Sequence, residues 1–273
     1  MSSGCSPKRK EGSEVIRSGK IIAGFGETAL SLLFPRRCPV CDRPVRPFGA
    51  LICPECEETF VRVSGPVCLR CGKPVSPGRE YCGDCGRRGH HYDRGCSVFR
   101  YRSMSASMYR FKYEGRQEYA AWYGREMGRR LREVMSQPGG GAFPCPEALV
   151  PVPLSPARMR ARGYNQAALL ARAVSRETGI PVREDLLYRD VESAAMRLMD
   201  AAARQNNLKR TFHAYGNSVN LKSVMLIDDI YTTGATADAC ALQLRRAGIR
   251  NVTFMTLAIG EDSLCSARTE YEP

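Results

Sequence analysis

Eight of the chain's 13 cysteines fall in four CxxC pairs, Cys38/Cys41, Cys53/Cys56, Cys68/Cys71 and Cys82/Cys85, separated by 11, 11 and 10 residues. This ladder constrains the fold most, because residues 36–86 are rich in Cys, Pro and Gly and poor in core-forming side chains. Such a segment buries too little apolar surface to fold without cross-links. Two residues between thiolates let both sulfurs reach one tetrahedral ion, so two pairs close a site and eight cysteines make two. The spacing predicts two structural Zn2+ sites. Sequential pairing, 38–56 and 68–85, is the simpler arrangement; an interleaved one stays open. A disulfide framework is the competing reading. It is disfavoured because Lys8–Lys10 and the interrupted apolar stretch Ile21–Phe34 do not read as a secretory leader. A cytoplasmic setting is therefore expected, and it keeps thiols reduced. Gly72 and Gly86 follow the second cysteine of their pairs, where a positive φ is expected. Cys5, Cys96, Cys145, Cys240 and Cys265 read as small apolar residues. His90 and His91 read as surface residues, with a role as spare ligands left open.

With 273 residues, 43% of them apolar, the chain can build one full domain beside this small module. No apolar run reaches the length of a membrane span. Residues 1–35 read as a tail with one short helix over 20–34, residues 36–90 as the double zinc-ribbon module, and 91–273 as the larger domain. Strands are expected at 97–101, 148–152, 186–188, 224–227 and 252–259. Helices are expected at 117–135, 165–177 (closed by Gly179) and 236–247 (closed by Gly248). The 117–135 helix carries Tyr119, Trp122, Tyr123, Met127, Leu131 and Val134 along one broad side. Alternation at this spacing predicts an α/β fold, a parallel sheet with flanking helices.

The strand Val224–Ile227 runs into Asp228 and Asp229. Ile230-Tyr-Thr-Thr-Gly-Ala-Thr236 then leads into a helix. Ligands of open α/β sheets bind at that end of the strands. Gly234 and its small neighbours let backbone N–H groups close around a phosphate, and the helix N-terminus adds partial positive charge. The hydroxyls of Thr232, Thr233 and Thr236 can donate to phosphate oxygens. The two carboxylates can accept hydrogen bonds from a vicinal diol one sugar length away. The order differs from a Walker loop, since the acids precede the glycine.

This string resembles the 5-phosphoribosyl pyrophosphate (PRPP) loop of type I phosphoribosyltransferases. More of the chain is similar to one branch, the ComF family of competence proteins. The likeness spans Leu149-Val-Pro-Val-Pro-Leu154, the RGxNQ element Arg162-Gly-Tyr-Asn-Gln166, and Arg204, Asn207, Leu208 and Phe212. The resemblance implies a phosphoribosyltransferase-like fold behind a zinc module. It implies that Asp228 and Asp229 bind the ribose hydroxyls and that Thr232, Thr233, Gly234, Ala235 and Thr236 hold the 5-phosphate. Arg158 and Arg162 would lie near the pyrophosphate, with Mg2+ bridging pyrophosphate and ribose oxygens. Many relatives carry Thr and Gln where this chain has Ser193 and Met196. In 6-oxopurine phosphoribosyltransferases an aspartate that serves the base stands where this chain has Thr232.

The formal charge is +13, with nine Arg or Lys against three Glu over residues 100–132. A basic excess attracts phosphates, including those of nucleic acid. The cations Arg110, Lys112, Arg116, Arg125, Arg129 and Arg130 are interleaved with Tyr109, Phe111, Tyr113 and Trp122. That mixture is compatible with a surface that stacks bases and tracks phosphates. Core packing is the expectation for Trp122, whereas Phe111-Lys112-Tyr113 is hard to place in a core. Two classes of function stay open. The ComF resemblance implies a PRPP-responsive protein that handles single-stranded DNA in DNA uptake, with a helicase partner. The other class is an enzyme transferring phosphoribosyl to an unknown acceptor. No helix-turn-helix pattern supports a transcription factor.

Overall fold

A computed structural model describes residues 35–47, 49–136, 143–190, 211–215 and 220–260. The 20–34 helix, Cys5, Cys265, Ser193, Met196, Arg204, Asn207 and Leu208 lie outside the described residues. Four strands form a wholly parallel sheet: β1 (Arg94–Arg100), β2 (Ala148–Pro151), β5 (Ser223–Tyr231) and β6 (Asn251–Ile259), in the order β1-β6-β5-β2. Short β3 (Leu187–Arg189) and β4 (Phe212–Ala214) form a separate antiparallel pair. A parallel sheet is covered on both faces, so its central strands read as unbroken apolar runs. In β5, Val224 and Leu226 join one apolar cluster while Met225 and Ile227 join the other.

One face carries α2 (Tyr101–Tyr113), α3 (Tyr119–Ser136) and α5 (Gln166–Thr178). Asn165 caps α5, its side chain accepting from the Ala167 N–H at 3.0 Å, and Gly179 ends it at φ 75°. The α3–α5 contact depends on Gly124: a β-carbon there would lie 2.2 Å from that of Ala173. The opposite face carries α6 (Ala235–Arg246), which also touches β4.

The structure corrects several expectations. Helix α2 has no counterpart in the sequence reading, because its serines and arginines mask a buried row of Met104, Met108 and Phe111. Phe111 is fully buried, so it belongs to the core and not to a stacking surface. Tyr113 beside it is exposed. Strand β5 does not stop at Ile227 but runs on to Tyr231, which puts the acid pair inside the strand. No described helix is long and apolar enough to cross a membrane.

The cysteine ladder straddles the β1 edge of the sheet. The linker between its halves pairs with β1, the Val63 N–H donating to Val98 O and the Arg100 N–H to Val61 O, each at 2.8 Å. Ribbon 1 (Cys38–Cys56) lies against α2 and α3, and its cysteines share an apolar cluster with Phe99, Met108 and Trp122. Ribbon 2 (Cys68–Cys85) shares the other cluster with Tyr231, Phe254 and α6.

Candidate functional site and metal centres

The eight thiols form two groups, Cys38/Cys41/Cys53/Cys56 and Cys68/Cys71/Cys82/Cys85, with sulfurs within 4.8 Å of one another. The pairing is sequential. Cys41 and Cys53 sulfurs are 4.0 Å apart, and those of Cys71 and Cys82 3.6 Å. Zn–S bonds of about 2.3 Å in a tetrahedron require about 3.8 Å between sulfurs. Both groups therefore suit a tetrahedral Zn2+ ion. Each site sits on the same knuckle, closed by an antiparallel bridge, Arg37 to Pro44 in ribbon 1 and Val67 to Pro74 in ribbon 2. Gly72 adopts the expected positive φ (77°), whereas Gly86 does not, because α1 (Gly83–Arg87) runs through it. His90 is also not a surface residue: its side chain is 6% exposed, and Nε2 lies 3.5 Å from the Cys85 sulfur. Cys96 and Cys240 are buried as small apolar residues would be, and Cys145 is exposed.

At the C-terminal end of the sheet, Asp228 and the turn Thr232–Thr236 line one cavity with Val152, Phe254 and Thr256. Gly234 caps α6 at φ 79°. Its missing β-carbon is required twice, since that atom would also lie 2.4 Å from the Tyr231 hydroxyl. Thr232 and Thr233 are exposed. The two acids have different neighbours. Asp228 accepts from the Asp229 backbone N–H at 2.8 Å. Burial and the Asp229 charge push the Asp228 carboxyl up to about 7, against the pull of that N–H, Lys112 and Arg158. Asp229 is buried and pairs with Lys112 Nζ at 3.0 Å.

Lys112 is the site residue that sequence reasoning misplaced, assigning it to a phosphate-tracking surface. Its position is fixed by the RGxNQ element. The Tyr164 hydroxyl donates to Phe111 O, clamping the end of α2. Asn165 Nδ2 donates to Val152 O at 3.0 Å, tying the same element to the end of β2. No local signal gave that role, because α2 itself was not legible in the sequence and its partner Asp229 lies far along the chain. On the short helix α4 (Pro156–Arg162), Arg158 lies close enough to act on Asp228, and Arg162 has partners of its own. It donates to Gln166 Oε1 at 3.0 Å and to the Tyr113 hydroxyl at 3.2 Å, with its guanidinium 5.0 Å from the Tyr113 ring centre.

The double zinc ribbon domain family matches residues 29–86. Competence protein F of Haemophilus influenzae is 30% identical over 229 residues, covering 82% of this chain and 97% of that protein. The chain belongs to the ComF family. Competence protein ComFC of Bacillus subtilis is 29% identical, over 76% of this chain and 83% of its own length. DNA utilization protein YhgH of Salmonella typhi is 30% identical, over 83% and 98%. Among solved structures, a hypoxanthine phosphoribosyltransferase from Staphylococcus aureus overlaps 52% of this chain and 64% of its own, at 15% identity and a TM-score of 0.28.

Proposed function

We propose that this ComF protein binds PRPP with Mg2+ at the acid pair and the threonine turn, and uses that binding while handling single-stranded DNA during DNA uptake. The observation that carries the reading is the shared cavity of Asp228 and Thr232–Thr236 at the N-terminus of α6. Backbone N–H groups and threonine hydroxyls would take the 5-phosphate there. Asp228 and Asp229 would take the ribose hydroxyls, and Lys112 and Arg158 would face the pyrophosphate. The hard oxygen donors of the acid pair suit Mg2+, which would offset the charge of the pyrophosphate. Lys112 already holds Asp229. Two cations on one carboxylate repel, so the metal fits best when it arrives bound to the ligand's own oxygens.

The DNA part rests on the relatives' names, competence protein and DNA utilization protein, and on an exposed rim beside the acid pair. Tyr109 and Tyr113 are 58% and 60% exposed, with ring centres 5.1 Å apart and Arg162 over Tyr113. Exposed paired rings with a guanidinium suit base stacking. The test is calorimetric titration of PRPP and Mg2+ with single-stranded oligonucleotide present or absent. Asp228→Asn with Asp229→Asn should abolish PRPP binding while circular dichroism stays native. Wild-type affinity in that double variant removes the site. A change in oligonucleotide affinity on PRPP binding supports regulated DNA handling. Pyrophosphate release on adding a base supports transfer to an acceptor instead.

A further inference from the structure

Ribbon 2 and the segment that follows it, up to Tyr92, do not merely lie beside the threonine turn; they grip both ends of it. Before the turn, the Tyr92 hydroxyl bonds the Tyr231 hydroxyl at 2.8 Å. Tyr231 in turn stacks on Phe254 at 4.8 Å and lies over Gly234, where no β-carbon fits. Lys73, 4% exposed and paired with Asp84 between two zinc ligands, sits 6.0 Å from the Tyr231 ring centre. After the turn, Asp238 in the first turn of α6 accepts from the His91 backbone N–H at 2.5 Å, and His91 Nδ1 is 3.1 Å from both its oxygens. His90 Nδ1 lies 3.7 Å from the same carboxylate, its ring stacks on Tyr92 at 4.7 Å, and its Nε2 touches the Cys85 sulfur. The chain of contacts is thus continuous from a zinc ligand to residues on both sides of Thr232–Thr236.

We infer that His90, Tyr92 and Asp238 are positioning residues through which the second zinc site sets the shape of the Thr232–Thr236 turn. The consequence for ligands rests on the reading above that this turn receives a sugar phosphate. Partners of metal ligands orient what they touch, and their loss commonly costs tenfold or more in function. Residues 83–92 are short and have no long element of their own. Their geometry is therefore set by the metal on one side and by Asp238 and Tyr231 on the other. Ribbon 1 has no comparable path among the described residues, since its polar contacts go to α2, α3 and the loop between them. Coupling between two sites is reciprocal. Zinc in ribbon 2 should tighten sugar-phosphate binding, and a bound sugar phosphate should retain that zinc.

The experiment uses the full, zinc-loaded chain and hydrogen exchange read by mass spectrometry, with ribose 5-phosphate as the probe ligand. Cys71→Ser should remove the second zinc and speed exchange across 231–238 by about tenfold or more. Cys38→Ser should remove the first zinc and leave 231–238 protected, whatever it does to α2 and α3. Asp238→Asn and Tyr92→Phe should keep both zinc ions yet loosen the same segment, and they carry the test if Cys71→Ser does not fold. In the wild type, saturating ribose 5-phosphate should slow transfer of one zinc ion, and not the other, to a chromogenic chelator. Unchanged exchange across 231–238 in Cys71→Ser, or in both Asp238→Asn and Tyr92→Phe, overturns the inference. Loosening of the turn in a protein whose wild type binds no ribose 5-phosphate upholds the coupling and sinks the phosphate reading alone.

Discussion

After its second cysteine, ribbon 1 places Asp42 at φ 56°, while ribbon 2 places Gly72 at φ 77° in the equivalent position. The backbone demand is the same and the answers differ because the surroundings differ. Asp42 faces the start of α3 and the loop before it. It accepts from Arg116 Nε at 2.9 Å and from the Tyr119 hydroxyl at 2.6 Å, contacts that offset the cost of a left-handed non-glycine residue. Gly72 is pressed onto the edge of the sheet, where a β-carbon would lie 2.7 Å from Gly95 O. One knuckle therefore serves as an electrostatic clasp on helices, and the other as a close backbone joint beside β1. The ribbons are related in plan, yet one braces the helical face and the other braces the candidate ligand turn.

The comparison breaks most visibly at the metal. Cys38→Ser and Cys71→Ser should each leave one zinc ion by elemental analysis and lower Tm by more than about 10 °C, since a structural zinc site contributes many kcal/mol. The two losses should differ in kind. Cys38→Ser, if still folded at low temperature, should keep ribose 5-phosphate affinity within about twofold, because among the described residues the polar contacts of ribbon 1 go to the helical face and not to the turn. Equal loss of ligand affinity in both variants would erase the distinction between the ribbons.

A smaller effect sharpens it. Gly72→Asp should destabilise by about 2–4 kcal/mol in thermal or denaturant melts, because a side chain must displace the β1 backbone. Asp42→Gly should cost only about 1 kcal/mol or less, since relief of the left-handed strain offsets part of a partly exposed ion pair. If the reciprocal changes cost the same, neighbouring contacts do not explain the choice of residue.

A third contrast is in pH. Although burial raises the Asp42 carboxyl, the hydrogen bonds from Arg116 and Tyr119 prevail and hold it below the usual carboxylate range. Its contribution is present above the unfolded value and is lost as pH falls through the folded one. Asp228, in the strand that leads to the braced turn, does the reverse. Its folded value is raised to about 7 by burial and by Asp229. The folded state holds that proton longer, so stability is lost as pH rises from about 4 to about 7. Asp228→Asn should therefore raise Tm at pH 8, by about 2–4 °C per kcal/mol relieved, with the gain shrinking towards pH 5. A gain independent of pH would mean that ionisation of Asp228 is not what costs stability.

Much of the molecule was legible in the sequence because its signals are local. Thiolate spacing specifies the metal geometry, an unbroken apolar run specifies a strand covered on both faces, and Asn165 and Gly179 mark the ends of α5. The Asp228–Thr236 string marked one end of the sheet for the same reason: the chemistry is contiguous. Helix α2 escaped because Ser107, a polar residue at a buried position, is satisfied only by Pro39 O and the Tyr123 hydroxyl, partners far away in sequence. Phe111 and Lys112 were misplaced with it.

By itself the sequence determined eight thiols spaced for two metal sites, a parallel α/β domain and the string that forms the turn after the acid pair. Only the tertiary structure decided that Lys112 holds Asp229, that Arg162 turns to Tyr113, and that ribbon 2 and not ribbon 1 supports the turn. Periodicity and spacing encode what a segment does with its own neighbours. Which segments meet depends on how two buried faces of one sheet are filled, and no local pattern carries that information.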